Sequence, residues 1–262
     1  MLTSTDGIVL RQRKIANNRR MITLFTRKYG RISAGTSISE TGKGKSALAL
    51  RPFTYADYNI FKGRDYYNID SATVKRSYYA IGEDLDRFMT ASTLITYLDK
   101  ILEEGQAKPK LFDMTLEFFE CIGEASAGCE TLLYAFIIKT LRMQGIMPEL
   151  SCCVNCGKPA EEFGYGPDGR FRQFSVTSGG IICDECASTE KGTPGALIYR
   201  PSFDIITTIG YFLDKPLRTF GKVSLKTEVS RQLREILAEY LSHYLNVDVL
   251  RDDADWRQTD GY

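Results

Sequence analysis

Two rhythms of apolar and polar positions run along this chain. Up to about residue 80 the apolar runs are short, partly alternating and rich in β-branched and aromatic residues, the pattern of half-buried strands. They fall at residues 7–13 around Ile8-Val9-Leu10, at 21–26, at 32–38, at 53–61, and at 66–69 continuing toward Val74. Arg27-Lys28-Tyr29-Gly30 separates the second run from the third as a hairpin turn, with Gly30 available for a positive φ. Lys62-Gly63-Arg64-Asp65 turns the fourth run into the fifth. Five strands with turn signals at regular spacing predict a small β-barrel.

From residue 81 the period lengthens to that of amphipathic helices. Residues 84–104 carry Leu85, Phe88, Met89, Leu94, Ile95, Leu98, Ile101 and Leu102 near helical spacing, with Gly105 as a stop. Residues 110–125 repeat the pattern, and 129–143 form the most apolar helix, ended by Gly145 and Pro148. Residues 202–213 and 228–245 predict two more, the last with an apolar stripe through Val229, Leu233, Ile236, Leu237, Tyr240, Leu241, Tyr244 and Leu245 that is expected to face the home core. The polar, acidic stretch 251–262 reads as a frayed end. The fold class expected is multi-domain α+β: a five-stranded barrel over 1–80, a helical domain over 81–150 and 188–262, and an inserted module over 151–187.

Composition narrows the class without naming a function. Hydrophobic residues make up 43% and charged residues 26% of the 262 positions, ordinary globular values that exclude collagen, a coiled-coil rod and a wholly disordered chain. No apolar stretch approaches the roughly 20 residues that span a bilayer. The opening Met1-Leu2-Thr3-Ser4-Thr5-Asp6-Gly7 has neither a basic nor an apolar signal region, so a cytoplasmic location without a membrane partner is expected.

The formal net charge of +1 conceals an asymmetry. Residues 1–80 hold 15 Lys and Arg against 5 Asp and Glu, a net of +10; residues 81–150 hold 6 against 12, and 151–262 hold 13 against 16. A solvated basic face is the plain interpretation, but +10 in so short a segment favours a polyanion binder. An oligonucleotide-binding (OB) barrel is the economical fold for that charge, with a surface suited to single-stranded nucleic acid. The cations fall at its strand ends and turns: Arg11, Arg13 and Lys14; Arg19 and Arg20; Arg27, Lys28 and Arg31 around Tyr29; Lys43 and Lys45 in a Gly-rich loop; then Arg51. Removing the charge of Arg27, Lys28 and Arg31 is expected to weaken binding. Phe25, Tyr29, Tyr55 and Tyr58 are candidate rings for base stacking, each weighed against a place in the core.

Two motifs carry possible chemistry. Ser39-Glu40-Thr41-Gly42-Lys43-Gly44-Lys45-Ser46 nearly fits the G-x-x-x-x-G-K-[ST] phosphate loop, but Ser39 replaces the first Gly and Pro52 stops the following stretch after little more than a turn. A mobile basic loop is the better reading. Cys153-Val154-Asn155-Cys156 and Cys183-Asp184-Glu185-Cys186 form two C-x-x-C pairs, separated by 26 residues. Four such thiolates suit a structural, tetrahedral Zn²⁺ closed to substrate. Cys152 adjoins Cys153 and offers an alternative C-x₃-C register. Residues 163–165, 171–174 and 178–180 read as hairpin strands between the pairs. Cys121 and Cys129 read as buried core thiols. The single histidine, His243, lies in the last predicted helix and joins no zinc-peptidase, deaminase or Ser/His/Asp pattern, so no catalytic residues are expected.

These residues together resemble a known family, the RecO recombination mediators of bacteria. The resemblance covers the chain from Gly7 to about Leu245. It is carried by Gly7-Ile8-Val9-Leu10, the Thr23-Leu24-Phe25-Thr26-Arg27-Lys28-Tyr29-Gly30-Arg31-Ile32-Ser33-Ala34 segment, Leu50-Arg51-Pro52-Phe53, Phe61-Lys62-Gly63 and the two cysteine pairs. It implies an OB domain, a helical domain and a zinc-ribbon-like insert. It also implies binding of single- and double-stranded DNA, strand annealing, and loading of RecA with RecR onto DNA covered by single-strand-binding protein (SSB), whose acidic tail the family binds. The stretch Gly35-Thr36-Ser37-Ile38-Ser39-Glu40-Thr41 is less basic than that resemblance leads one to expect. Two other classes stay open: an ATP-using repair enzyme built on the loop 39–46, and a zinc-ribbon adaptor that binds only protein.

Overall fold

Side chains along Gly30–Thr36 are alternately buried and half-buried, the two-residue rhythm of a strand with one face turned to a core. The computed structural model describes residues 2–15, 19–38, 45–64, 66–163 and 173–251. The strands of its first sheet are β1 (Leu2–Lys14), β2 (Arg20–Thr26), β3 (Gly30–Thr36), β4 (Thr54–Lys62) and β5 (Tyr67–Ser77), with the one-turn helix α1 (Lys45–Ala49) between β3 and β4. They close into an OB-like barrel in the order β1-β2-β3-β5-β4. Every pairing is antiparallel except β3 with β5, where Ala34 lies opposite Tyr67 and Gly35 opposite Asn68. β1 begins at Leu2 and not at residue 7, because Leu2 to Asp6 pair with Phe61 to Asp57 of β4. The polar side chains of Thr3, Ser4, Thr5 and Asp6 hide that pairing from a hydrophobic count.

Val9, Ile22, Leu24, Ile32, Ala34, Ala56, Ile60 and Ile69 fill the barrel, and Ala49 and Leu50 join them beside α1. Tyr58 is also inside; its hydroxyl donates to Ala49 O at 2.7 Å, which satisfies the one polar atom the ring carries into the core.

The chain forms two compact units, and the division falls inside α4 (Cys129–Gln144). The first comprises residues up to Leu133 together with Leu217–Val223. In it α2 (Leu85–Ile101) and α3 (Pro109–Glu124) accompany the barrel. Asp84 caps α2 by accepting from Arg87 N at 2.9 Å, and Pro109 opens α3, where a missing N–H costs nothing. Phe112 of α3 meets Phe25 of β2 edge-on at 5.2 Å. This explains why nearly all of β2, and not just alternate positions, is buried. Phe53, at a left-handed φ of 56°, is held there by Phe88 and Phe119 at 5.8 and 5.9 Å.

A charged knot ties β1, β2, β4 and β5 on the outside. The Asp6 carboxylate accepts from Lys75 and, at 2.9 Å, from Tyr55, and pairs with Arg27 at 3.7 Å. Burial works to raise the Asp6 pKa, but these donors prevail and hold it below the usual carboxylate value.

The second unit, Tyr134–Pro216 and the chain from Ser224, holds the rest of α4 and a cysteine-bearing segment. Its elements are α5 (Ala160–Phe163), β6 (Phe174–Ser175), β7 (Gly180–Ile181), α6 (Asp184–Glu190), β8 (Ile198–Tyr199), α7 (Ile205–Asp214) and α8 (Thr227–Leu245), with sheet order β7-β6-β8. Of the stripe expected on the last helix, Leu233, Ile236, Leu237, Tyr240 and Leu241 are buried, Val229 and Leu245 near its ends are half-buried, and Tyr244 is exposed. Asn246 ends α8 at a left-handed φ of 54°. Phe163, expected in a strand, closes the short helix α5 instead; residues 164–165 and 171–172 of the expected hairpin lie outside the described residues. Among the described residues no helix is long and apolar enough to cross a membrane.

Two outcomes follow for stability. Gly30 has φ +65°, and a Cβ there would meet Gln106 O at 1.8 Å; Gly105 has φ +75° with nothing within 4 Å. Gly30→Ala should therefore cost about 3 kcal/mol and Gly105→Ala only about 1 kcal/mol; equal costs in denaturant unfolding would contradict the close approach. Because its native pKa is depressed, Asp6 contributes stability above the ordinary carboxylate pKa, and that contribution fades as pH falls through the native value. Asp6→Asn should lower the thermal midpoint at pH 7, and the gap from wild type should close toward pH 3. A gap that does not depend on pH would remove the charged knot from the account.

Candidate nucleic-acid face and metal centre

The barrel cations do not share one environment. Arg11 and Arg31 both approach Asp99 of α2, at 3.5 and 2.8 Å. Arg27 reaches Asp113 of α3 at 2.5 Å and lies 4.9 Å over the Phe112 ring. Hydrogen bonding to Asp113 outweighs the desolvation that opposes it and raises the Arg27 pKa. These three arginines therefore hold the barrel against α2 and α3, and much of their charge is neutralised. Arg20, grouped with the exposed cations on sequence, is 5% exposed. It donates to Gln12 Oε1 at 3.0 Å and to Ile38 O at 2.8 Å.

Arg13, Lys14 and Arg19 are exposed where β1 passes to β2, near the Ile15 N–Arg19 O hydrogen bond of 2.9 Å. Lys28 is exposed in the β2–β3 turn, 5.3 Å from the Tyr29 ring, and Arg51 is exposed ahead of β4. Lys45 opens α1, and Lys43 lies outside the described residues, as do positions 39–44 of the phosphate-loop lookalike. The element that follows the lookalike is the five-residue α1, inside a barrel rather than an α/β layer.

Of the four candidate rings, Phe25 and Tyr58 are wholly buried. Tyr55 is half-buried and engaged by Asp6. Tyr29 is half-buried, with its hydroxyl 2.9 Å from Thr3 Oγ1 and its ring 6.1 Å from Tyr67. Sequence reasoning passed over the β4–β5 turn, where Phe61, Lys62, Arg64 and Tyr66 are all exposed. The signal was present in Phe61-Lys62-Gly63-Arg64-Asp65-Tyr66: two rings and two cations on one turn.

In the second unit Cys153, Cys156, Cys183 and Cys186 come together, their sulfurs all within 4.8 Å of one another. The Cys153–Cys183 and Cys156–Cys183 separations are 3.7 and 3.8 Å. A tetrahedron of sulfurs about 2.3 Å from a central ion has edges of about 3.8 Å, so the set fits a metal ion. The first pair sits in a turn closed by Gly157 N to Cys153 O at 2.9 Å. Cys183 is the N-cap of α6 and Cys186 lies in its first turn.

Burial acts to raise the Cys153 pKa, but backbone N–H groups of Cys183, Cys156 and Asn155 aimed at its sulfur bring it down to about 6. Hydrogen bonding with Cys183 pushes Cys186 up; several thiols share one small volume, and they cannot all be anionic without a cation. Glu190 clamps the surroundings, accepting from Asn155 at 3.2 Å, from Ser178 at 3.0 Å and from Ser175. Cys152 is not a member of the cluster, which settles the register in favour of Cys153. Cys121 and Cys129 are half-buried helix thiols rather than fully buried ones; burial pushes Cys121 up to about 11 and raises Cys129 too. His243 is exposed on α8 with its ring 4.8 Å from that of Tyr244.

Comparison with known proteins covers nearly the whole chain. Residues 1–78 match the family model "Recombination protein O N terminal", and residues 82–252 match "Recombination protein O C terminal". A DNA repair protein RecO of Bacillus subtilis is 28% identical over 246 residues, 93% of this chain and 90% of that one. A DNA repair protein RecO of Alkaliphilus metalliredigens is 27% identical, covering 94% and 95% of the two chains. One of Symbiobacterium thermophilum is 29% identical, covering 92% and 91%. With both family models matched in order over almost its full length, the chain belongs to the RecO family of DNA repair proteins.

Proposed function

We propose that the chain is a non-enzymatic, DNA-binding recombination mediator of the bacterial cytoplasm. In this reading it binds single- and double-stranded DNA, anneals complementary strands and, with RecR, assists RecA loading onto DNA covered by SSB. The observation that carries the reading is the closed OB-like barrel within a segment of net charge +10, supported by membership of the RecO family. Annealing brings two polyanions together, and their repulsion falls when cations replace the condensed counterions of each strand.

The binding residues proposed remain those of the barrel: Arg11, Arg13, Lys14, Arg19, Arg20, Arg27, Lys28, Tyr29, Arg31, Lys43, Lys45 and Arg51. The larger share is assigned to Arg13, Lys14, Arg19, Lys28 and Arg51, which are exposed. The smaller share is assigned to Arg11, Arg27 and Arg31, which already face carboxylates, and to buried Arg20. The metal proposed for Cys153, Cys156, Cys183 and Cys186 is a structural Zn²⁺: four thiolates close the coordination sphere, and ligation would lock the turn to α6.

Two measurements test these assignments. Affinity for an oligo(dT) strand should fall with salt at a log–log slope of about −0.7 per phosphate contacted. Replacing Arg13, Arg19 and Lys28 together by Ala should make that slope shallower by about 2. Replacing Arg27 and Arg31 should mainly lower the unfolding midpoint. An unchanged slope in the triple variant would move the site elsewhere. For the metal, protein purified without chelator should carry about one equivalent of zinc. Cys183→Ser should release it and lower the thermal midpoint. Protein that carries no zinc, or a variant that retains both metal and stability, would argue against a structural Cys₄ site.

A further inference from the structure

The β4–β5 turn leaves two aromatic rings exposed over much of their surface. Phe61 is 43% exposed and Tyr66 is 59% exposed, with ring centroids 6.3 Å apart and planes inclined by 33°. Leu2, paired with Phe61 across β1 and β4, is 62% exposed. Leaving such side chains in water forgoes the stabilisation that burial would bring, so their position asks for a partner.

The rings are held in place by their own turn. Gly63 N donates to Tyr66 O at 2.9 Å. A Cβ at Gly63 would lie 2.4 Å from Tyr66 Cε1, so only glycine lets the Tyr66 ring lie across the turn. Positive charge surrounds the same end of the barrel. Lys62 Nζ sits 5.4 Å from the Tyr29 ring and 5.7 Å from Tyr67, Lys28 Nζ sits 5.3 Å from Tyr29, and Arg64 is exposed in the turn. Against these three cations the turn sequence supplies one acid, Asp65.

We propose that Phe61 and Tyr66 are a stacking station for unpaired bases of a single DNA strand whose phosphates are held by Lys28, Lys62 and Arg64. Rings give stacking without sequence preference, and adjacent cations track the backbone. Bases inside a duplex present no free face, so the station selects single strands over double strands. The inference rests on the nucleic-acid reading above and adds to it the residues that distinguish the two forms of DNA.

The test is fluorescence anisotropy with oligo(dT) and with a duplex of equal length, using wild type, Phe61→Ala, Tyr66→Ala, the double variant and Tyr66→Phe. Each alanine should weaken oligo(dT) binding about tenfold. Duplex affinity and the salt slope should stay at the wild-type value, and Tyr66→Phe should bind as wild type. Both side chains are exposed, so thermal midpoints should not move, and that measurement separates loss of stacking from loss of fold. A double variant that binds oligo(dT) as tightly as wild type, while the Arg13/Arg19/Lys28 variant does not, would overturn the station and leave the DNA reading standing. Equal losses on single strand and duplex would also overturn it. A wild-type protein that binds neither would remove both readings, and loss only of a protein partner would assign the rings to that partner instead.

Discussion

The organisation of the first unit depends on one closure. A five-stranded sheet with both edges open would present unpaired N–H and C=O groups along two strands. Here the parallel contact of Ala34 and Gly35 with Tyr67 and Asn68 removes those edges. That contact cannot be made by a tight turn, so the chain crosses between β3 and β4 through a linking segment that includes α1. Closure also brings the β2–β3 turn beside the start of β5, which is why Tyr29 meets Tyr67 and Lys62 lies near both rings. The aromatic and cationic end of the barrel is thus a product of topology, assembled from residues far apart in sequence.

Charge in that unit serves two ends. Arg11, Arg27 and Arg31 are matched to Asp99 and Asp113, and Lys75 to Asp6. The contacts to Asp99 and Asp113 position α2 and α3, the Lys75–Asp6 pair ties β5 to β1, and being partly exposed each contributes modestly. Arg13, Arg19, Lys28 and Arg64 are exposed. A phosphate competes poorly for an arginine already facing a carboxylate and well for one facing water. Net charge therefore overstates the surface offered to a polyanion, and the proposed DNA contacts are apportioned by which exposed cations already face a carboxylate. In the second unit four cysteine sulfurs come together in a set that fits a metal ion, with Glu190 accepting from Asn155, Ser175 and Ser178 around the cysteine cradle.

Much of this was legible from residue patterns. The five strands, the long helices and the cysteine set follow from periodicity and spacing, because each is a local property: Leu233 to Leu241 repeat at helical period, and two C-x-x-C pairs make matching knuckles. What stayed hidden depended on tertiary partners. Phe25 stands between stacking ring and core until Phe112 packs on it, and Arg20 groups with the exposed cations until Gln12 and Ile38 O receive it. The polar start of β1 was invisible because its pairing with β4 is made by backbone. The β4–β5 turn was visible but discounted, since a turn explains Gly63 and leaves Phe61 and Tyr66 unremarked.

Ultraviolet crosslinking of the full chain to an oligo(dT) strand, with the attached residues mapped by mass spectrometry, tests the central claim most directly. The account predicts crosslinks at the exposed end of the barrel, at Tyr29, Phe61, Tyr66 or Tyr67 and around the β1–β2 turn. Crosslinks confined to residues 134–251, with none in the first 80, would contradict it.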